Sequence, residues 1–397
     1  MTQDPTTAAA DDLAEARAEL RAVARDLLGK ANPATPAGWR QLAAAGWLGL
    51  EAPSAQNGAD ATFAEVAVIL EELGRAAAPG PYLGAVALGI GTLLQLAPTP
   101  GRDTLLSRAV TGAVLPAAVL AAEHPDRGWF YTPGCIKPST ISGIPVDPAA
   151  QDDDNTAGGP PFRLERAHGR LRLAGQAAFA PDAAEADRLL LLAGTTEDTG
   201  TLVIIDIDPG IPGLTVTQQP VLDETRRLAR VKADGVEVDE ASVWRFNGDP
   251  AAAVGTLLDR AAVAIACDSL GLSEAMLETT VAYAKVRQQF GRPIGSFQAV
   301  KHACADMLVS IAVSRGLVDA AVRAIACGDP QAGVAASMAK SHACQTAVEV
   351  AGKAMQLHGG IGYTWESGIH VYLKRAALNR SLFGSPATHR ERLATRY

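Results

Sequence analysis

Hydrophobic and polar positions change their period twice along the chain. From Asp11 to Leu28, Ala and Leu recur among Glu and Arg at helical spacing, which predicts an amphipathic helix. A second helix is predicted over Pro36 to Ala45, ending before Gly46-Trp47-Leu48-Gly49-Leu50. Thr62 with Glu65 three residues on has the spacing of a capping box. The helix it opens is expected to run to Leu73, with Gly74 as its stop. Pro79 and Pro81 break the chain before an apolar helix over Tyr82 to Leu96. From about Val110, Gly and Pro become frequent and short apolar runs appear, such as Leu189-Leu190-Leu191-Leu192 and Leu202-Val203-Ile204-Ile205. Strict alternation follows from Val231 to Val238, and these patterns predict strands of a β-barrel or sandwich. The acidic, then Gly/Pro-rich segment Asp152 to Pro161 is expected to be a loop. From Ala251 the period is helical again, with Leu258, Ala262, Ile265, Ser269, Leu272, Met276, Thr279 and Tyr283 on one face. Helices over Gln298 to Ala326, Pro330 to Leu357 and Ile369 to Ala377 complete a predicted four-helix bundle. The expected class is α+β: a helical domain over 1–110, a β domain over 111–247 and the bundle over 248–397.

Composition narrows the function classes. The chain is 48% hydrophobic and 20% charged over 397 residues, enough for a large core without staples. A net charge of −8 and no long Lys/Arg run argue against a nucleic-acid surface. No apolar stretch in this reading approaches the roughly 18 residues of a membrane span. The polar, acidic start is unlike a secretory signal. Five scattered cysteines (Cys135, Cys267, Cys304, Cys327, Cys344) form no Cys-x-x-Cys pair and lie in mostly apolar, helical flanks. Buried free thiols and a cytoplasmic location are expected from that usage. The seven histidines are dispersed without a His-x-x-x-His pair, so no metal site is indicated. Gly89-Ile90-Gly91 lacks the third glycine and a preceding strand of a dinucleotide fingerprint, and no Gly-x-Ser-x-Gly elbow occurs.

Two elements carry candidate chemistry. The first is Arg287-Gln288-Gln289-Phe290-Gly291-Arg292-Pro293-Ile294-Gly295-Ser296-Phe297-Gln298; the second is Gln356-Leu357-His358-Gly359-Gly360-Ile361-Gly362-Tyr363. Each follows a long helical pattern. They offer a fork-shaped cation, amide side chains and bare glycine backbone, which suit the pyrophosphate and adenine half of a dinucleotide. A plainer account also fits: a surface Arg at a helix C-terminus, favoured by the dipole, and a glycine C-cap with a turn.

The order helical domain, β domain, four-helix bundle resembles the acyl-CoA dehydrogenase superfamily. Val68-Ile69-Leu70-Glu71-Glu72-Leu73-Gly74-Arg75 looks like the family's N-terminal helix, and Leu222-Asp223-Glu224-Thr225-Arg226-Arg227 like the turn after its β domain's late strands. Arg287 to Gln298 looks like its R-x-x-F-G…F-Q element, and Gln356 to Glu366 like its Q-x-x-G-G-x-G-Y-x-x-E element. The resemblance implies FAD, an acyl-CoA thioester substrate, lipid metabolism and an electron-transfer flavoprotein as acceptor. In the family a glutamate removes the α-proton while the flavin accepts the β-hydride. The FAD lies at a subunit interface, one subunit holding its ring and the other its nucleotide tail. By that likeness Arg287 pairs with the pyrophosphate, Phe290 packs on the adenosine and Gln298 hydrogen-bonds nearby. Gln356, Leu357, His358, Gly359 and Gly360 line the same cofactor, His358 as a polar neighbour of it.

The likeness departs at the base. One branch of the family has its Glu where this chain has Phe383; another has it where this chain has Ala261. Asp259 lies two residues from Ala261, about 200° around a helix, and cannot substitute. Glu274, Glu278 and Glu366 are the remaining acids to weigh, and the catalytic residue stays unassigned. The family's flavin-proximal runs correspond to Tyr131-Thr132-Pro133-Gly134-Cys135 and Ala177-Ala178-Phe179-Ala180-Pro181, and its N-terminal loop to Ala52–Gly58, all altered here. Three readings follow. The chain is a subunit of a heteromeric dehydrogenase, contributing the nucleotide-tail half-site to a catalytic partner. It is a self-sufficient homo-oligomer with a displaced base. It is a non-catalytic assembly protein. Small residues from Ala76 to Gly91, where the family's acyl chain passes, would leave room for a branched or steroid side-chain CoA ester.

Overall fold

A computed structural model describes residues 5–29, 38–120, 159–196 and 201–396. Helix α1, Pro5–Leu28, starts before the predicted Asp11; α2 is Trp39–Ala44. Helix α3, Phe63–Arg75, carries the expected capping box: Thr62 N–H donates to the Glu65 carboxylate at 2.8 Å, and the Thr62 hydroxyl accepts from Ala64 N–H at 3.2 Å. Gly74 does not stop this helix but lies inside it. A Cβ there would stand 1.9 Å from the Asp268 carbonyl oxygen, and one at Gly271 would stand 1.8 Å from the Glu71 carbonyl oxygen. The two bare backbones let α3 cross the long bundle helix at close range.

The segment expected to be an ordinary helix over Tyr82 to Leu96 is a π-helix, Tyr82–Ile90, running into α4, Gly91–Leu94. Its widened turn leaves the Ala87 carbonyl to accept from Arg260 Nε at 2.5 Å. Arg260 also pairs with Glu51 and lies 4.4 Å over the Phe63 ring. Helix α5 is Pro100–Val110, with the Thr99 hydroxyl accepting from Arg102 N–H.

The strands are β1 Pro116–Val119, β2 Phe162–Ala167, β3 Arg170–Pro181, β4 Arg188–Thr195, β5 Leu202–Ile207, β6 Leu214–Gln219, β7 Leu228–Val238 and β8 Val243–Arg245. They pair in the order β6-β7-β3-β2-β4-β5-β8. Parallel β1 and β2 sit end to end along one edge of β4, on Arg188–Leu191 and on Ala193–Thr195. The Leu189–Leu192 run is unbroken because β4 is covered on both faces. Leu190 and Leu192 join the core shared with the helices, whereas Leu189 and Leu191 join a second core with Leu173 and Ile205. The turn at Leu222–Arg227 lies between β6 and β7, not after the late strands. Residues 152–158 of the expected loop lie outside the described residues.

The bundle comprises α6 Pro250–Val286, α7 Gln298–Ala326, α8 Ala332–His358 and α9 Ile369–Ser381, and α10 Pro386–Ala394 packs on α8. The sequence reading missed α10, although Ser385-Pro386 is an N-cap followed by a first-turn proline, and the Ser385 hydroxyl accepts from Thr388 N–H. In α6 the predicted face is buried from Leu258 to Met276; beyond it Thr279 is exposed and Thr280 buried. α6 packs against α3, α7, α8 and α9, so it is buried over most of its circumference and its apolar residues are not confined to one stripe. For that reason it is long and apolar enough to cross a membrane by composition, which the sequence reading overlooked. Its most apolar window is 72% buried within the protein, the place of a core helix.

Candidate functional site

The turn between β6 and β7 is clamped to the bundle by a buried charge cluster. Asp268 of α6 accepts from Arg375 of α9 at 2.6 and 3.0 Å and from Asn379 Nδ2 at 2.6 Å, and Arg226 approaches it at 2.9 Å. Arg375 also donates to Thr225 Oγ1 at 2.7 Å and to the Ala78 carbonyl at 3.1 Å. Burial pushes the Asp268 carboxyl upward, but Arg375 and Arg226 outweigh it and hold it at about 2. The Leu222–Arg227 motif therefore docks one layer on the other.

Both positions where a base was sought are apolar and buried. Ala261 is fully enclosed on α6, and Asp259 is paired with Arg392 of α10, so its carboxylate is committed to packing α10. Phe383 occupies the turn between α9 and α10 in a left-handed conformation, φ 53°, and is 5% exposed. Such a conformation is costly for an aromatic residue and persists only where surrounding contacts impose it. Two buried side chains hydrogen-bond this turn. Lys340 Nζ donates to the Gly384 carbonyl at 2.7 Å and to the Asn379 carbonyl at 3.0 Å, and His389 Nε2–H donates to the Phe383 carbonyl at 3.0 Å. Burial lowers both pKa values, that of His389 to about 3 with Lys340 adding to the effect, so the imidazole is neutral.

Phe383 lines a cavity of about 10 Å³ together with Leu88, Ala118, Leu120, Ala178 and Pro181. That is room for about one water. No carboxylate lines it among the described residues. The small residues expected to make room for an acyl group are packed instead. A Cβ at Gly84 would meet the Pro181 carbonyl oxygen at 2.5 Å, and one at Gly89 the Pro116 carbonyl oxygen at 2.8 Å. Beside the cavity, Gly84 N–H donates to Asp182 at 2.8 Å, and burial raises the Asp182 carboxyl to about 7. Tyr131 to Cys135 lie outside the described residues.

The other acids are elsewhere. Glu274 meets Arg315 at 2.6 Å and Glu278 pairs with Arg75, in a ladder that also joins Arg315 to Glu71 at 2.9 Å. Glu366 is exposed on the turn Trp365–Ser367.

At the far end of α6 a hairpin projects. Strands β9, Gln288–Gln289, and β10, Arg292–Pro293, are joined by Phe290 and Gly291, both at positive φ (53° and 73°) as a two-residue hairpin turn requires. Arg287 caps α6, its N–H donating to the Tyr283 carbonyl at 2.9 Å while its own carbonyl accepts from Ile294 N–H at 2.8 Å. Its guanidinium is exposed and makes no ion pair among the described residues. Phe290 is 90% exposed and meets Phe297 edge-on, centroids 6.1 Å apart; Arg292 lies 4.1 Å over the other ring.

Between this hairpin, α7 and the end of α8 runs an open groove of about 490 Å³, within the range of small-ligand clefts. Of the residues singled out from sequence, Phe290, Gln356 and Leu357 line it. Arg287, Gln298, Gly359 and Gly360 are exposed nearby without lining it. His358 turns inward, stacked on Tyr283 at 4.4 Å with Nδ1–H donating to the Ala354 carbonyl at 2.8 Å; it supports the turn from beneath. Sequence reasoning missed Lys353, which shares a helix face with Gln356 and Leu357 through i, i+3, i+4 spacing, and gave Phe297 no role.

Residues 3–113 match the family described as acyl-CoA dehydrogenase, N-terminal domain, and residues 251–397 the acyl-CoA dehydrogenase, C-terminal domain. The acyl-CoA dehydrogenase IpdE2 of Mycobacterium tuberculosis is 32% identical over 352 residues, 88% of this chain and 82% of that protein. The chain belongs to the acyl-CoA dehydrogenase family. Among solved structures, a variant of the Tcur3481–Tcur3483 steroid ACAD is similar with a TM-score of 0.77 and 25% identity, over 96% of this chain and 98% of the other. The ChsE4–ChsE5 complex from Mycobacterium tuberculosis shares the fold, with a TM-score of 0.77 and 23% identity over 96% of each chain. Acyl-CoA dehydrogenases are FAD-dependent oxidoreductases of lipid metabolism, and FAD is the family cofactor. The lining of the groove offers groups that could hold one end of that cofactor. It has a mostly apolar floor, two phenyl rings, the amides of Gln289 and Gln356 and nearby cations, whereas the space at Phe383 amounts to about 10 Å³ among the described residues.

Proposed function

We propose that this chain is the accessory subunit of a heteromeric FAD-dependent acyl-CoA dehydrogenase. It lends the pyrophosphate–adenine half-site to a partner that holds the flavin ring, the base and the thioester. One observation carries this reading: the groove beside Arg287 is open at about 490 Å³, while among the described residues the space at Phe383 amounts to about 10 Å³ and no carboxylate lines it. When bound, FAD accepts the hydride from the acyl β-carbon. The α-proton of a thioester is so weakly acidic that removing it needs an aimed base; no carboxylate lines the cavity among the described residues, and the buried Asp182 beside it is held by Gly84 N–H. Here Arg287 supplies a fork donor for the pyrophosphate, Phe290 packs on the adenosine, and Gln356 and Gln298 donate or accept at its polar edges.

The likeness to a steroid ACAD named for two components supports both a two-subunit assembly and a bulky, steroid-derived acyl-CoA held by the partner. The electron acceptor is an electron-transfer flavoprotein. The unbridged thiols of Cys267 and Cys344, both buried, fit a reducing cytoplasm, although Cys304 is half-buried and Cys327 exposed; Cys135 lies outside the described residues.

The test is purification of the chain alone and together with its partner, followed by the flavin-to-protein ratio and turnover of acyl-CoA. The isolated chain should carry little FAD and no activity, and both should appear on mixing. Robust dehydrogenation by the chain alone would establish the self-sufficient enzyme instead, and a flavin-free complex would establish an assembly protein.

A further inference from the structure

We propose that Lys353 is a second anion anchor of the groove, holding a phosphate of an adenine nucleotide in addition to Arg287. This rests on the nucleotide half-site assigned above and extends it by a residue that the family motifs do not contain. Lys353 is the one charged side chain among the residues lining the groove. It makes no ion pair among the described residues, and its contact with Gln356 Oε1 is long, at 3.4 Å. Lys353, Gln356 and Leu357 come from consecutive turns of one α8 face, so ammonium and amide share one wall. The rest of the lining is apolar apart from Gln289 and carries the rings of Phe290 and Phe297.

A groove with a ring-bearing wall and one uncompensated cation selects a ligand with a flat, uncharged ring joined to an anion. A purine nucleotide has that form: the base stacks or packs against the phenyl edges, and a phosphate oxygen meets the ammonium as a charge-assisted acceptor. Ordinary hydrocarbon chains leave the ammonium unused, and an acidic peptide leaves the rings unused. Arg287 departs from the end of α6 and Lys353 from α8, so the two cations approach the tail from different elements.

The experiment is calorimetric titration of the full chain, without partner, with ADP and with adenosine. Wild type should bind ADP more tightly than adenosine. Lys353→Gln should weaken ADP binding about tenfold, the scale of one charge-assisted contact, and leave adenosine binding unchanged. Lys353→Arg should restore ADP binding. Lys353 is exposed on its helix, so the substitution should leave the melting temperature in place. The proposal is overturned if Lys353→Gln binds ADP as wild type does, if wild type binds adenosine as tightly as ADP, or if it binds neither. A separate readout is the flavin content of the assembled complex. If the Lys353→Gln complex holds full flavin while its ADP binding is unaltered, the role of Lys353 is wrong and the accessory-subunit reading stands. If the wild-type complex holds no flavin, that reading is the one that fails.

Discussion

Asp268→Asn isolates the force that docks the β6–β7 turn onto the bundle. The wild-type carboxylate lies between Arg375, at 2.6 Å, and Arg226, at 2.9 Å, with Asn379 donating to it as well. The amide leaves two buried guanidiniums without their shared counter-charge. Breaking a buried pair in this way costs about 3–5 kcal/mol. The pH dependence gives a second estimate. The folded pKa is about 2 against an ordinary 3.8, a depression worth about 2 kcal/mol at 1.36 kcal/mol per unit. Because the folded value is the lower one, this contribution is complete above pH 4 and is lost as the pH falls towards 2. Urea unfolding followed by circular dichroism should therefore show Asp268→Asn less stable by a few kcal/mol at pH 7, with the gap narrowing as the pH is lowered through the window from 4 to 2. A gap under about 1 kcal/mol at pH 7, the size of an exposed ion pair, would refute the reasoning. So would a gap that does not change with pH.

Gly74→Ala should lower the melting temperature, because its Cβ would stand 1.9 Å from the Asp268 carbonyl oxygen and force α3 from α6, an overpacking cost of at least about 1–3 kcal/mol; a wild-type melting curve would contradict the crossing. Asp182→Asn should raise stability at pH 8 and change little at pH 4. The raised carboxyl, at about 7, stabilises the fold only while protonated, a contribution present below pH 4 and lost as the pH rises through 7; denaturant midpoints at the two pH values check it. Phe383→Ala should cost about 3–5 kcal/mol in unfolding free energy and give the isolated chain no acyl-CoA turnover, since no carboxylate lines the emptied space among the described residues; new activity would contradict the accessory role.

The sequence made the layer order and most element types legible, because α3, α7 and β7 each keep an unambiguous period or cap. What it concealed was the meaning of residues whose role depends on a neighbour distant in the chain. Gly74 looks like a helix stop until Gly271 is seen across from it. The small residues from Gly84 to Gly91 look like room for a substrate until Pro181, Pro116 and Arg260 are found against them. The continuous apolar character of α6 reads as one stripe, yet the helix is surrounded. Phe290, Gln356 and Leu357, singled out by their motifs, line the groove. The inward turn of His358 was not legible, because no pattern tells which way a residue at a helix end turns. Lys353 was hidden in an ordinary amphipathic helix, and its i+3 relation to Gln356 was the available signal. The absence of a carboxylate at Phe383 and Ala261 was visible in the sequence, but the small cavity beside Phe383 required the fold.

The central claim is that this chain completes a cofactor site belonging to another subunit. Its most direct test is the FAD content of the assembled complex when only this chain carries Arg287→Ala, with assembly checked by size-exclusion chromatography. The account predicts an intact complex that has lost most of its FAD. An intact complex that retains its full complement of FAD would contradict it.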